Sequence, residues 1–154
     1  MSPIAIVTDT DCSLPADLSA RYGIHQVPIT VHFGYDSYRA VEEIDDEHLF
    51  ARIDRDGELP TTSAPSPGAF AQAYRAAYDR ECEHVVCLTV SSEVSGTYRA
   101  ALAACDLTPE IDVTVVDTRS LSMGQGYAVL AAAEAARDGA GLDEVLAAAV
   151  DAVR

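Results

Sequence analysis

The stretch Ser91-Ser92-Glu93-Val94-Ser95-Gly96-Thr97-Tyr98 sets hydroxyls and a glycine between an apolar run, Val85 to Val90, and an Ala-rich run, Arg99 to Cys105. The first run reads as a buried strand and the second as a helix. A turn of that composition offers free backbone N–H groups at a helix N-terminus, where an α/β protein tends to hold an anion. Two more polar turns end apolar runs: Thr8-Asp9-Thr10 and the segment from Asp117 to Gly126. In an open parallel sheet the carboxyl ends of the strands line one crevice, the usual ligand site. The loop Thr61-Thr62-Ser63 is placed to fold over it. Such a crevice is rich in hydroxyls and poor in cations, with Arg99 and Arg119 the nearby ones, which suits a single carboxylate better than a triphosphate. Ser, Thr and Asp also populate turns and N-caps for structural reasons alone, so only the convergence of several turns argues for a site.

The elements that must position these turns follow from pattern. Ile4 to Thr8 reads as a central strand. Ser13 reads as an N-cap, with Pro15 in the first turn of a helix that Gly23 closes after Tyr22. His25 to Phe33 reads as a strand that Pro28 demotes to an edge, and Tyr38 to Val41 as a short return strand. Acids from Asp45 open a second helix that ends at Gly57, and Leu59 to Ser66 reads as an extended loop. Ser66-Pro67 starts a helix expected to reach about Asp79, with Phe70, Ala73, Tyr74 and Ala77 on one face. Asp112 to Asp117 is a further strand, Thr118 to Gly126 a turn, and Tyr127 to Arg137 an Ala-rich helix. The break Gly139-Ala140-Gly141 precedes a last helix from Leu142. Strands alternating with helices predict an α/β fold, a parallel-sheet three-layer sandwich in one domain, with the Ala-rich helices closely packed.

Composition narrows the partners. A net charge of −15 over 154 residues argues against nucleic acid or an anionic membrane surface. No apolar run approaches the ~18 residues of a membrane span, and no signal peptide is visible at the start, so a cytoplasmic location is expected. The cysteines at 12, 82, 87 and 105 and the histidines at 25, 32, 48 and 84 show no metal spacing, so neither metal nor cofactor is expected. Asp9, Asp11 and Asp117 carry oxygens suited to a cation, but hydrogen bonding at the sheet crest is the stronger reading. There is no Walker A string. Gly124-Gln125-Gly126 is a lone G-x-G, and Glu93-Val94-Ser95-Gly96-Thr97 lacks the glycines of a nucleophile elbow. The histidines carry no triad signature, and His25 and His32 read as strand fillers.

Four segments together resemble the DegV family of bacterial fatty-acid-binding proteins. Val7-Thr8-Asp9-Thr10 resembles its T-D-S strand end. Pro60-Thr61-Thr62-Ser63-Ala64-Pro65-Ser66 resembles its T-S-Q-P-S loop, with Ala64 for Gln. Ser91 to Tyr98 resembles S-S-x-L-S-G-T-Y, with Val94 for Leu, and Asp117 to Gly126 resembles D-S-x-S-x-S-x-G-x-G. The resemblance implies a protein that binds one long-chain fatty acid. It implies a carboxylate held by Thr62, Ser95 and the Gly96 N–H, with Asp9, Ser63, Ser92, Ser122, Met123 and Gly124 as a secondary set. It implies a non-catalytic role: the bound acid is presented to a separate fatty acid kinase subunit. Family members have two lobes, and this chain resembles the N-terminal one, without the lid lobe; an apolar face meant for that lobe predicts a homodimer. A small-molecule acyl or phosphoryl transferase using Asp9 or Ser95 is the alternative, as is a lobe that binds nothing alone.

Overall fold

The computed structural model describes residues 4–78 and 82–154. In chain order these form β1 (Ile4–Asp9), a 3-10 turn (Thr10–Cys12), α1 (Ala16–Tyr22), β2 (His25–Val27), β3 (Thr30–Phe33), β4 (Asp36–Arg39) and α2 (Asp46–Asp56). Then come β5 (Thr61–Ser63), α3 (Pro67–Tyr78), β6 (His84–Thr89), α4 (Thr97–Cys105), β7 (Val113–Asp117), α5 (Met123–Arg137) and α6 (Leu142–Asp151). Four strands make a parallel sheet in the order β2-β1-β6-β7. Its two central strands are apolar on both faces, as burial on both sides demands. Ile4, Ile6, Val86 and Leu88 pack under α5 and α6, while Val7, Val85 and Cys87 pack under α3 and α4. The alanines do what their size allows. Ala128, Ala132, Ala133 and Ala136 of α5 and Ala149 of α6 are buried, so the two helices approach closely over the sheet. The α/β three-layer expectation holds.

A second sheet is antiparallel, in the order β4-β3-β5. Its face bearing Val31, Phe33 and Tyr38 packs with Ile44, which precedes α2, and with Leu49 and Ile53, the apolar stripe of that helix. Arg52 of α2 lies over the Phe33 ring at 4.5 Å and donates to the Tyr38 hydroxyl and to Asp36.

Several expectations need correcting. The segment from His25 to Phe33 is not one strand: it breaks at Pro28-Ile29, where the chain leaves the parallel sheet for the antiparallel one. Proline has no N–H to give a ladder, so the break falls where the pattern marked a weakness. Thr61–Ser63 is a strand rather than loop, because β3 supplies a partner that local sequence cannot show. The return strand is Asp36–Arg39, not 38–41. Ser13 does not cap α1; it is left-handed (φ 53°), and Pro15 occupies the cap position, one residue before the helix. Helix α4 starts at Thr97, earlier than expected. Helix α5 starts at Met123, so Gly124 and Gly126 belong to its first turns and not to the preceding turn. Asp79, the expected end of α3, lies outside the described residues.

Candidate functional site

The crest of the parallel sheet is built around Asp9, the last residue of β1 and fully buried. Its Oδ2 accepts the Val90 N–H at 2.9 Å, and its Oδ1 accepts the Asp11 N–H at 3.0 Å. The carboxylate thus ties the ends of two neighbouring strands and starts the 3-10 turn. Burial pushes its pKa up to about 6, against the pull of those N–H groups. Beside it the Gln125 amide donates to the buried Thr8 hydroxyl at 3.0 Å, while Gln125 Oε1 has no partner among the described residues. Nothing in the local pattern marks Gln125; it becomes visible only once α5 lies across the crest.

Ser91 to Tyr98 forms the second turn. Ser92 is committed to structure: its hydroxyl donates to Asp117 Oδ2 at 2.6 Å, and its N–H donates to Oδ1 at 3.1 Å. The Arg119 N–H joins them at 3.0 Å. Partial burial pushes Asp117 upward, but these donors outweigh it and hold the carboxyl below its ordinary value. Ser95, half-buried, accepts the Thr97 N–H at 3.3 Å and stands 2.9 Å from the buried Thr97 hydroxyl. With Thr97 donating to it, the Ser95 O–H is free to point outward. The Gly96 N–H meets no carbonyl among the described residues.

The third turn is strained. Arg119 (φ 51°) and Ser122 (φ 53°) are left-handed, as is Ser13 across the crest. Such conformations cost of order 1–3 kcal/mol each in non-glycine residues and gather at functional sites. The Ser13 and Ser122 hydroxyls face one another at 3.2 Å. Met123 packs partly into the core. A Cβ at Gly124 would meet only the Ser120 side chain, whose hydroxyl can rotate away. Val94 and Leu121 stand 66% and 57% exposed beside these hydroxyls, apolar surface that the crest itself leaves uncovered.

Thr62 and Ser63 come from β5 in the other sheet. Thr62 pairs with Val31 and Ser63 with Thr30, so their side chains take opposite faces. The Thr62 hydroxyl has no hydrogen bond among the described residues, and none there joins it to Ser95. Ser63 Oγ lies 2.9 Å from His32 Nε2. Sequence pattern therefore placed the Asp9, Ser92, Ser95 and Ser122 turns at one crest, and His32 lies in β3, as expected of a strand residue, with hydroxyl neighbours at Ser37 and Ser63.

Gly96 has an ordinary helical backbone (φ −76°), and a Cβ there would meet nothing within 4 Å. Gly96→Ala should therefore leave stability within about 1 kcal/mol of the parent. A ligand seated on the 96 N–H would meet the added methyl group. Thermal melting and ligand retention, measured together, check this: unchanged melting with reduced retention is expected.

Among the described residues no group of three or more His, Cys, Asp or Glu side chains is arranged to hold a metal ion. The Cys12 and Cys87 thiols are buried, and burial pushes the Cys12 thiol up to about 11, far from a reactive thiolate. No helix is long and apolar enough to cross a membrane among those residues.

Comparison with known proteins gives a consistent result. Residues 3–153 match the model of the family described as "Uncharacterised protein, DegV family". A DegV domain-containing protein of Mycobacterium tuberculosis is 43% identical over 154 residues, covering 97% of this chain and 51% of the relative. One of Streptomyces coelicolor is 39% identical over 146 residues, covering 95% and 51%. The chain thus spans about half the length of these relatives. Among solved structures, a fatty-acid-binding DegV family protein from Thermus thermophilus superposes with a TM-score of 0.88 at 41% identity, over 100% of this chain and 54% of that one. DegV of Bacillus subtilis, described as a fatty acid binding protein, gives 0.90 at 29% identity, over 98% and 54%.

Proposed function

Since the chain belongs to the DegV family, we propose that it binds a long-chain fatty acid whose carboxylate sits at the crest, held by Thr62, Ser95 and the Gly96 N–H. The observation that carries this reading is the half-buried Ser95 hydroxyl and the Gly96 N–H, which meets no carbonyl among the described residues, standing beside the exposed apolar side chains of Val94 and Leu121. Donors for an anion and apolar surface for a tail are the two needs of an amphiphile. That structurally similar proteins are described as fatty-acid binding supports it.

The energetics divide cleanly. A 16-carbon tail brings roughly fifteen methylene-type groups, a gross gain of about 12 kcal/mol at ~0.8 each. Hydroxyl bonds to the head group add about 1–3 kcal/mol. The tail supplies affinity and the crest supplies orientation. A head group without an ion pair keeps its oxygens available as nucleophiles, which suits presentation to a separate kinase that converts the carboxylate to an acyl phosphate. On this reading the crest holds the acid without transforming it, a non-catalytic carrier role, and the chain corresponds to the N-terminal lobe of its longer relatives.

The test is mass spectrometry of an organic extract from the purified protein, followed by a binding titration of Thr62→Ala/Ser95→Ala. One long-chain acid per chain is expected, bound roughly five- to a hundredfold more weakly by the double variant. Full affinity in that variant would remove Thr62 and Ser95 from the site.

A further inference from the structure

On the antiparallel sheet, His32 stands between two hydroxyls: Nε2 is 2.9 Å from Ser63 Oγ, and Nδ1 is 2.7 Å from Ser37 Oγ. Strand alternation puts Thr30, His32, Ser37, Arg39 and Ser63 on one face, opposite the apolar face under α2. Thr30 and Arg39 also line a groove of about 540 Å³ between this sheet and α3. Its other walls mix small apolar residues, such as Val27, Pro28, Ala64 and Ala73, with the polar Gln26, Glu42, Ser66 and Gln72. The Ala64 N–H, next along the chain from Ser63, is given to no acceptor among the described residues.

We propose that Ser63, His32 and Ser37 form an acyl-transfer site for carboxylic esters, separate from the crest. A hydroxyl within hydrogen-bond reach of a base, with a third group orienting that base, is the arrangement nucleophilic catalysis requires. Nδ1–H donates to Ser37, which fixes the tautomer and leaves Nε2 bare to accept the Ser63 proton. Ser63 Oγ attacks the ester carbonyl, and its proton passes to Nε2. The oxyanion that forms accepts the Ala64 N–H. The carbon–oxygen bond to the alcohol then breaks, and the alcohol departs with the proton from Nε2. Water repeats the cycle on the acyl-Ser63 ester and releases the carboxylic acid. Ser37, a hydroxyl in place of a carboxylate, is a positioning residue and makes for slow turnover.

The experiment uses the chain as it is, with p-nitrophenyl butyrate and octanoate as substrates and a fluorophosphonate as label. Hydrolysis should fall at least tenfold in Ser63→Ala and in His32→Asn, and the label should be found by mass spectrometry on the peptide bearing Ser63. Ser37→Ala should lower turnover several-fold and shift its pH profile, which a purely structural role would not do. Ser63 is exposed, so its alanine variant keeps the fold, as circular dichroism will verify. Undiminished hydrolysis in Ser63→Ala, no hydrolysis by the parent, or a label elsewhere would overturn the assignment. Fatty-acid content measured on the His32→Asn sample reads the crest independently, since His32 is no part of the head-group set.

Discussion

Gly126→Ala is expected to lower the melting temperature by roughly 10 °C, through a loss of about 3 kcal/mol. The backbone of Gly126 is helical, so conformational freedom is not the reason for glycine there. Space is. A Cβ at this position would lie 2.6 Å from the carbonyl oxygen of Cys12, 3.2 Å from Met123 Sδ and 3.3 Å from Leu14 Cδ2. The methionine can swing aside, but the Cys12 carbonyl belongs to the turn that Asp9 holds. Helix α5 would have to lift from the β1–α1 turn, loosening its buried contacts with Ile4, Ile6 and Leu88. The same movement would carry Ser122 away from Ser13. Calorimetry on the variant checks the expectation, and a melting point within 2 °C of the parent would show that α5 can relax at little cost.

The second large effect concerns Asp9. Asp9→Ala would strip the acceptor from two N–H groups, one of them on Val90, which is almost fully buried, and should cost about 2–4 kcal/mol. A pH signature identifies the carboxyl itself. Its folded pKa, about 6, is above the unfolded value of 3.8, so between those values the folded chain holds a proton that the unfolded chain has released. Stability therefore falls as pH rises through that window, by about 1 kcal/mol between pH 5 and 7. Burial raises the neighbouring Asp11 in the same direction. Urea titrations at the two pH values should show this slope in the parent and a smaller one in the alanine variant. A slope retained in full would assign it to other groups.

The strands that carry the crest were legible because burial on both faces writes an unbroken apolar run, as in Val85 to Val90. Phe70, Tyr74 and Ala77 were legible on α3 because helical spacing exposes a stripe. What escaped depends on partners far along the chain. Thr61–Ser63 has no strand signature of its own and is a strand only because β3 lies beside it. Gly126 looked like a turn residue, since its reason is what α5 touches, the Cys12 carbonyl, and not its own conformation. Ser13 looked like a cap, yet its hydroxyl reaches Ser122, 109 positions away. For the site, hydroxyl-rich turns after strands located the crest, while the choice of Thr62 and Ser95 within it came from family likeness.

The division of the strands into two sheets has a kinetic meaning. The chain passes from the parallel to the antiparallel sheet at Pro28-Ile29 and returns between β5 and α3. Two thin passages join two separately closed hydrogen-bond ladders, so each ladder can open without breaking the other. The smaller one, with the short strand β5 at its edge, is the cheaper to open. Ser95 follows a strand of the larger sheet, and Thr62 belongs to the smaller one. A head group that needs both would be released at a rate set by the breathing of three short strands, while the rest of the molecule stays folded.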